Sequence, residues 1–168
     1  MKRLYSVLLC VLTCFFISCA PVLMAPLITN HGGDTIHNYR YFYITPTGDY
    51  TSKSASLAVP IGFGMYVGSD NTRTTTPSHI IAGTLIKNGY IQVNEVNPEN
   101  AQKTMIVNFG ETGRHDQSIG YSIEVTIQFV SAATQRIICT CTADGIGETE
   151  ADDIRNAIER ALKPLFSN

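Results

Sequence analysis

The chain has 168 residues, which suits one domain, and a formal net charge of −2 at pH 7. The first eighteen residues hold Lys2 and Arg3 and no acid, so the remainder carries 10 basic and 14 acidic residues, a net charge of −4. A mildly acidic domain lacks the basic surface that nucleic acids require. Five cysteines are too few for a disulfide scaffold, so the domain must depend on an ordinary hydrophobic core.

The N-terminus has the layout of a secretory signal. Lys2 and Arg3 precede an apolar stretch from Leu4 to Ile17, and the small residue Ser18 follows. An uncleaved membrane anchor is the alternative, because the chain is nearly free of charge as far as residue 28 and a span needs roughly 20 apolar residues. Pro21 and Pro26 argue against one continuous helix there.

The four residues Phe16-Ile17-Ser18-Cys19 resemble the lipobox of bacterial lipoproteins, although Phe16 stands where leucine is usual. The resemblance implies that the thiol of Cys19 receives a diacylglycerol and that the signal is cut before it, leaving a terminus with fatty acyl chains such as palmitate. We therefore expect a signal peptide at 1–18, a tether at 19–38 and one domain at 39–168. Ala20 is not the aspartate that resembles an inner-membrane retention signal, which favours the outer membrane, facing the periplasm or the cell surface.

Proline and glycine interrupt the segment after Cys19, so it is predicted to be a tether. Asp34-Thr35-Ile36 resembles a bacterial O-glycosylation motif, which implies Thr35 as the acceptor; an ordinary linker threonine is the alternative. His31, Asp34 and His37 have metal-ligating side chains, but their spacing fits neither one helical face nor a zinc knuckle. We therefore expect no metal site in this segment.

The first predicted strand, Tyr39 to Thr45, carries a stripe of aromatic rings. Tyr39, Tyr41 and Tyr43 would share one face of this strand. A tyrosine stripe of this kind can bind a glycan or cover the edge of a sheet.

Residues 46–76 are predicted to be a long loop, a feature that is usually functional or disordered. Gly62, Gly64 and Gly68 lie among apolar and aromatic residues there. A phosphate-binding loop would need a helix directly after its glycines, but eight polar residues separate them from the next helix. The loop is interpreted as a mobile flap or an oligomer contact, in which Phe63 and Tyr66 would meet a ligand or partner.

Two helices and four more strands follow. Thr76 and Pro77 predict the start of one helix, which ends at Gly89, and Thr149 with Asp152 predicts the N-terminus of a second helix over 150–165. Strands are predicted at 90–96, 103–109, 119–130 and 135–143. The fold class is therefore α/β (α+β): a two-layer sandwich with a mixed four- to five-stranded sheet and two helices on one face.

Candidate chemistry in the second half of the chain is sparse. Arg114, His115 and Asp116 are predicted to form a polar loop, in which His115 would be a general base without an identifiable nucleophile. The five acids in this region are explained mainly by helix capping, because a calcium loop needs more ligands: Asp144, Glu148, Glu150, Asp152 and Asp153. Cys139 and Cys141 are spaced too far apart along a strand for a relaxed disulfide and are expected to remain separate thiols.

Segments from residues 103–114, 120–126 and 143–155, including Asn108-Phe109-Gly110-Glu111 and Asp144-Gly145-Ile146-Gly147, are similar to small lipoproteins of unknown function from Gram-negative gut bacteria. The similarity extends over about residues 75–166 and implies an envelope lipoprotein with an α/β domain, without catalytic residues.

The sequence thus predicts a membrane-anchored, non-enzymatic envelope lipoprotein that acts as an interaction or assembly module. The alternative is a lipoprotein that binds a glycan or small ligand through the tyrosine strand and the glycine loop. A hydrolase is the least favoured reading. The expected partners are the membrane, through the N-terminal lipid, and an envelope protein or glycan, with no nucleic acid and no cofactor.

Overall fold

The computed structural model describes residues 23–46, 50–54, 59–61, 65–67, 71–117 and 120–167. Ten strands occur within these ranges: β1 (Leu27–Asn30), β2 (Tyr41–Ile44), β3 (Tyr50–Ser54), β4 (Val59–Ile61), β5 (Met65–Val67), β6 (Asn71–Thr75), β7 (Ile91–Gln92), β8 (Thr104–Asp116), β9 (Tyr121–Ser131) and β10 (Ile137–Gly145). The same ranges contain two α-helices, α1 (Pro77–Lys87) and α2 (Glu150–Leu162). The predicted signal peptide and Cys19 lie outside the described residues.

Six of the strands form one mixed sheet in the order β1-β10-β9-β8-β2-β7. Neighbours from β1 to β8 are antiparallel, whereas β2 pairs in parallel with both β8 and β7. With two helices, this is an α+β fold with a mixed sheet, as predicted. The predicted four to five strands are too few by at least one strand.

The additional strand comes from the segment predicted to be a tether. Leu27 lies opposite Thr142, and Asn30 lies opposite Cys139, so β1 extends the sheet beyond β10. A 3-10 turn at Ile36–Asn38 then leads to β2. The tether prediction is wrong for these residues, because four residues beside an open strand edge gain backbone hydrogen bonds without any alternating pattern of their own.

The long loop predicted for residues 46–76 contains paired strands. β3 and β6 form one antiparallel pair, with Tyr50 opposite Thr75, and β4 and β5 form a second pair between them. The prediction of a structureless loop is wrong for these strands. The threonine- and serine-rich strands lack alternating hydrophobicity, which is the usual sequence signal of a strand.

Two predicted boundaries also change. The strand expected over 90–96 is confined to Ile91–Gln92, and the one expected over 103–109 continues as far as Asp116. Arg114, His115 and Asp116 therefore lie in a strand and not in a polar loop. Pairing with β9 along their whole length satisfies the backbone of these polar residues.

Both helices begin where the sequence predicts. Thr76 is the N-cap of α1. At α2, the Thr149 hydroxyl accepts a hydrogen bond from the Asp152 backbone N–H at 3.2 Å and donates one to the Asp152 carboxylate at 2.8 Å. The first bond caps the helix N-terminus, and the second holds the Thr149 hydroxyl in place for it.

One hydrophobic core joins side chains of the sheet to side chains of both helices. Ile123, Val125, Ile127 and Phe129 of β9 are fully buried, which confirms the predicted alternation. They belong to one hydrophobic cluster with residues of both helices, among them Ile81, Leu85, Ile154, Ile158 and Leu162. Burying each large side chain contributes roughly 1.5–3 kcal/mol. We call the side of the sheet that contacts this cluster the helix face and the opposite side the open face.

Helix α2 approaches the end of β10 so closely that only glycine fits at position 145. A Cβ atom there would lie 1.9 Å from the Asp153 carbonyl oxygen and 2.4 Å from the Ala157 backbone nitrogen. Both are backbone atoms of a helix that is fixed by its own buried side chains. They cannot yield without moving α2 away from the sheet.

We expect Gly145→Ala to lower the free energy of unfolding by about 3 kcal/mol or more, because overpacking against backbone cannot be relieved by a rotamer change. Chemical denaturation followed by circular dichroism measures this loss. Gly83→Ala in α1 is the matched control: its Cβ would meet nothing within 4 Å, and alanine should stabilise the helix by roughly 0.5–1 kcal/mol. Equal stability of the two variants would contradict this account of residue 145.

Candidate functional site

A β-bulge in β8 determines on which side of the sheet the side chains of its last residues lie. Glu111 lies opposite Val125, but Gly113 lies opposite Glu124, so Thr112 is an extra residue in the pairing. An inserted residue reverses the alternation of the side chains beyond it. Arg114 therefore pairs with Ile123 on the helix face, and His115 pairs with Ser122 on the open face.

This reversal brings His115 to two carboxylates on the neighbouring strands. Glu124 of β9 lies opposite Asp144 of β10. The His115 Nε2 atom is 3.4 Å from Glu124 Oε2 and 3.7 Å from Asp144 Oδ1. One ligand atom from each of the three residues lies within 4.8 Å of the other two, and no other set of three such side chains was found among the described residues. We call these residues the His-Glu-Asp cluster.

One end of the cluster is buried, and the other end is exposed to solvent. The Asp144 side chain is 3% exposed, that of Glu124 20% and that of His115 43%. Asp144 Oδ2 accepts a hydrogen bond from the Met24 backbone N–H at 3.3 Å. Asp144 Oδ1 is buried without a hydrogen-bond partner, which is costly for a carboxylate oxygen.

Threonine hydroxyls fix the second carboxylate of the cluster. Thr112 Oγ1 donates to Glu124 Oε1 at 2.6 Å and lies 3.2 Å from Thr126 Oγ1. Thr126 Oγ1 in turn lies 2.9 Å from Thr142 Oγ1, so the row of hydroxyls crosses three strands of the open face. Oε2, the other oxygen of Glu124, is thereby directed toward His115.

Asp34 organises the turn before β2. Its carboxylate accepts hydrogen bonds from the Thr35 backbone N–H at 2.9 Å, the Asn38 amide at 2.8 Å and the Tyr39 hydroxyl at 2.5 Å. The hydrogen bonds from Tyr39 and Asn38 lower the pKa of Asp34, and burial raises the pKa of Tyr39. His31 contacts Thr140 instead, so the structure does not gather His31, Asp34 and His37 into one site. Thr35 is exposed in this ordered turn.

The predicted tyrosine surface is only partly present. Tyr39 is buried and lies before β2, so the prediction that it belongs to an accessible stripe is wrong. Its hydroxyl is held by Asp34, which draws the ring into the fold. Tyr41 and Tyr43 are half-buried on the open face. Tyr66 lies in β5, and Phe63 lies outside the described residues.

The acids at the start of α2 have structural roles that helix capping only partly explains. The Glu150 carboxylate forms an ion pair with the Arg114 guanidinium at 2.6 Å. The same guanidinium forms an ion pair with Glu111 at 2.7 Å and lies over the Tyr121 ring, 5.3 Å from its centroid. These contacts fasten the helix face of β8 to α2. No local sequence pattern indicates this ion pair, because it depends on the bulge at Thr112.

Asp153 is, besides Asp144, the other buried carboxylate among the described residues. It is buried in the first turn of α2, and its Oδ1 atom has no hydrogen-bond partner. Burial raises its pKa, although a hydrogen bond from the Gly147 backbone opposes the shift. The charged form is therefore held at a cost to stability near neutral pH.

The thiols of Cys139 and Cys141 are free and buried, as predicted. Hydrogen bonding to Cys139 and burial raise the pKa of the Cys141 thiol. A protonated, buried thiol is a poor nucleophile. The side chains of these two cysteines therefore contribute to the packing of the hydrophobic core.

Comparison with known proteins reveals no family for this chain. No family model and no curated protein matches it. Several solved structures are distantly similar, and two of them illustrate the degree of similarity. A PelC dodecamer from Paraburkholderia phytofirmans is 12% identical, covers 85% of this chain and 99% of its own, and has a TM-score of 0.44. A single-substitution variant of that dodecamer is 14% identical, covers 86% and 100%, and has the same TM-score of 0.44.

We expect Asp153→Asn to be at least as stable as the wild type at neutral pH. The folded-state pKa of Asp153 is raised above its unfolded value, so the penalty is present above the folded-state pKa and disappears as the pH falls through it. The stability difference between variant and wild type should therefore shrink as the pH is lowered toward about 4. Denaturant titrations at a series of pH values measure it. The exposed Glu148→Gln is the control, and a difference that grows on acidification would contradict the prediction.

Proposed function

We propose that this protein is a lipid-anchored lipoprotein of the cell envelope, at the outer membrane, that acts without catalysis as an interaction module. Its domain is proposed to be a two-layer sandwich with both helices on one face of the sheet. The observation that carries the proposal is the way in which the N-terminal segment is fastened to the domain directly after the lipidatable Cys19.

That fastening begins at Met24. Its backbone N–H donates to Asp144, and its carbonyl oxygen accepts a hydrogen bond from Arg160 at 2.7 Å. Arg160 also donates to the backbone carbonyl of Asp144. Cys19 lies five positions earlier, so an extended chain spans about 18 Å at most between the two residues. A lipid on Cys19 would therefore hold the domain close to the bilayer, without a long spacer.

Two exposed apolar side chains lie where this N-terminal segment joins the domain. Leu27 is 61% exposed on β1, and Met24 is 54% exposed. Next to a bilayer surface, such side chains can be buried in the interfacial region, which adds to the affinity that acyl chains supply. Their position supports anchoring from the β1 edge of the sheet.

Among the described residues, no hydroxyl or thiol is paired with the ring of His115. The ring of His115 faces two carboxylates, and the Ser122 hydroxyl approaches the backbone carbonyl of His115 and not the ring. Covalent catalysis requires the nucleophile and the base to lie within hydrogen-bond reach of each other. This arrangement favours an interaction module over a hydrolase.

The opposite edge of the sheet offers a surface for a protein partner. β7 is the terminal strand there. The backbone N–H groups of Ile91 and Val93 donate hydrogen bonds to the carbonyl oxygens of Arg40 and Phe42, on the side of β2. Ile86 and Ile91 are exposed near this edge. An edge strand with apolar neighbours can pair with a strand of another protein. This surface lies away from the β1 edge, so membrane anchoring would leave it accessible.

We expect Cys19→Ala to abolish lipidation and to release the protein from the membrane wherever another signal cleavage occurs. Mass spectrometry of the mature N-terminus and membrane fractionation measure this. Cys14→Ala is the matched control and should leave a diacylated Cys19. An unmodified mature terminus at any residue other than Cys19 would refute the anchor.

A photo-crosslinking residue in place of Ile91 should trap a discrete protein adduct in intact cells. The same residue in place of the exposed Glu99 is the control and should trap much less. An Ile91→Lys substitution should weaken the adduct formed from a crosslinker at position 86, because a charge opposes apolar contact. Equal adducts from positions 91 and 99 would argue against a specific partner at this edge.

A further inference from the structure

We propose that His115, Glu124 and Asp144 bind one divalent transition-metal ion, of the zinc or manganese class, on the open face of the sheet. The three residues come from three adjacent strands, β8, β9 and β10. A site on hydrogen-bonded strands is more rigid than one built on loops. The site lies apart from the β7 edge of the sheet.

The distances fit a small ion. Bonds of 2.0–2.2 Å at tetrahedral angles place ligand atoms about 3.4 Å apart. His115 Nε2 lies 3.4 Å from Glu124 Oε2 and 3.7 Å from Asp144 Oδ1. The third pair lies within 4.8 Å, so a small rotation of the Glu124 carboxylate completes the set.

A second observation points to a cation independently of these distances. Asp144 Oδ1 is buried, has no hydrogen-bond partner and faces the other two side chains. Two carboxylates held this close repel each other, and a buried carboxylate oxygen without a partner destabilises the folded state. A divalent ion would neutralise both carboxylates and supply the missing partner of Oδ1.

The donor set selects the class of ion. One imidazole nitrogen and two carboxylate oxygens suit zinc, manganese or iron, whereas calcium and magnesium prefer oxygen alone. Nothing sulfur-based is involved, because Cys139 and Cys141 belong to the hydrophobic core on the helix face. Three protein ligands leave a position for water or for a donor from a partner, on the side where His115 is exposed.

The bulge at Thr112 and the lack of a side chain at Gly113 both help to place His115 and Glu124 as neighbouring ligands. The bulge turns His115 toward Glu124. A Cβ atom at Gly113 would contact His115 Nε2 at 3.5 Å and Glu124 Oε1 at 3.7 Å, so a larger side chain would extend into the space beside both ligands.

Metal binding can be measured on the full chain, purified in detergent and stripped of metal with a chelator. Equilibrium dialysis against Zn²⁺ or Mn²⁺, with elemental analysis, should give one ion per chain and a higher melting temperature. His115→Gln and Asp144→Asn should each weaken binding by about 100-fold, because every ligand of a three-ligand set supplies a large share of the affinity. His79→Gln, an exposed histidine on α1, is the control and should bind like the wild type.

Three results would overturn the assignment. The first is no stoichiometric binding at millimolar Zn²⁺ or Mn²⁺. The second is unchanged affinity in His115→Gln, which remains informative even if Asp144→Asn fails to fold. The third is sulfur in the coordination shell by X-ray absorption, since zinc–sulfur bonds of about 2.3 Å differ clearly from nitrogen and oxygen bonds.

Discussion

The bulge at Thr112 is the constraint on which the arrangement of side chains around β8 depends. The strand stays paired with β9, but the side chains of the last four residues of β8 lie on the opposite faces of the sheet from those that a regular strand would give them. Arg114 thereby reaches Glu150 at the start of α2, and His115 reaches Glu124 on the other side of the sheet. A regular strand would direct His115 into the helix layer and Arg114 away from its carboxylates. One extra residue thus supplies both a structural ion pair and the proposed metal site.

Asp144 connects that site to the N-terminus. One of its carboxylate oxygens faces His115, and the other accepts the Met24 N–H. Its backbone carbonyl accepts a hydrogen bond from Arg160, which also holds the carbonyl of Met24. The segment that would carry the lipid and the cluster that would carry the ion therefore share one residue. An ion bound by Asp144 would strengthen the place where the anchored segment joins the domain.

Much of the fold could be predicted from the sequence, because the responsible signals are local. Ile123, Val125, Ile127 and Phe129 alternate along one strand, and the apolar residues of α2 recur with helical spacing. Caps add to these patterns: Thr149 and Asp152 lie three positions apart and contact each other within one turn. Such patterns identify elements reliably, since the partners that satisfy them lie within a few residues.

By itself, the sequence determined the two helices of the described residues, strands β9 and β10, the first half of β8 and the face of β9 that is buried. Only the tertiary structure decided that Leu27–Asn30 forms a strand, since its hydrogen-bond partners lie more than a hundred residues away on β10. The same holds for the His-Glu-Asp cluster. Its members are separated along the chain, and the side of the sheet that His115 meets depends on a bulge without a sequence signature. Long-range pairing and register carry this information, because a single inserted residue reverses every side chain that follows it.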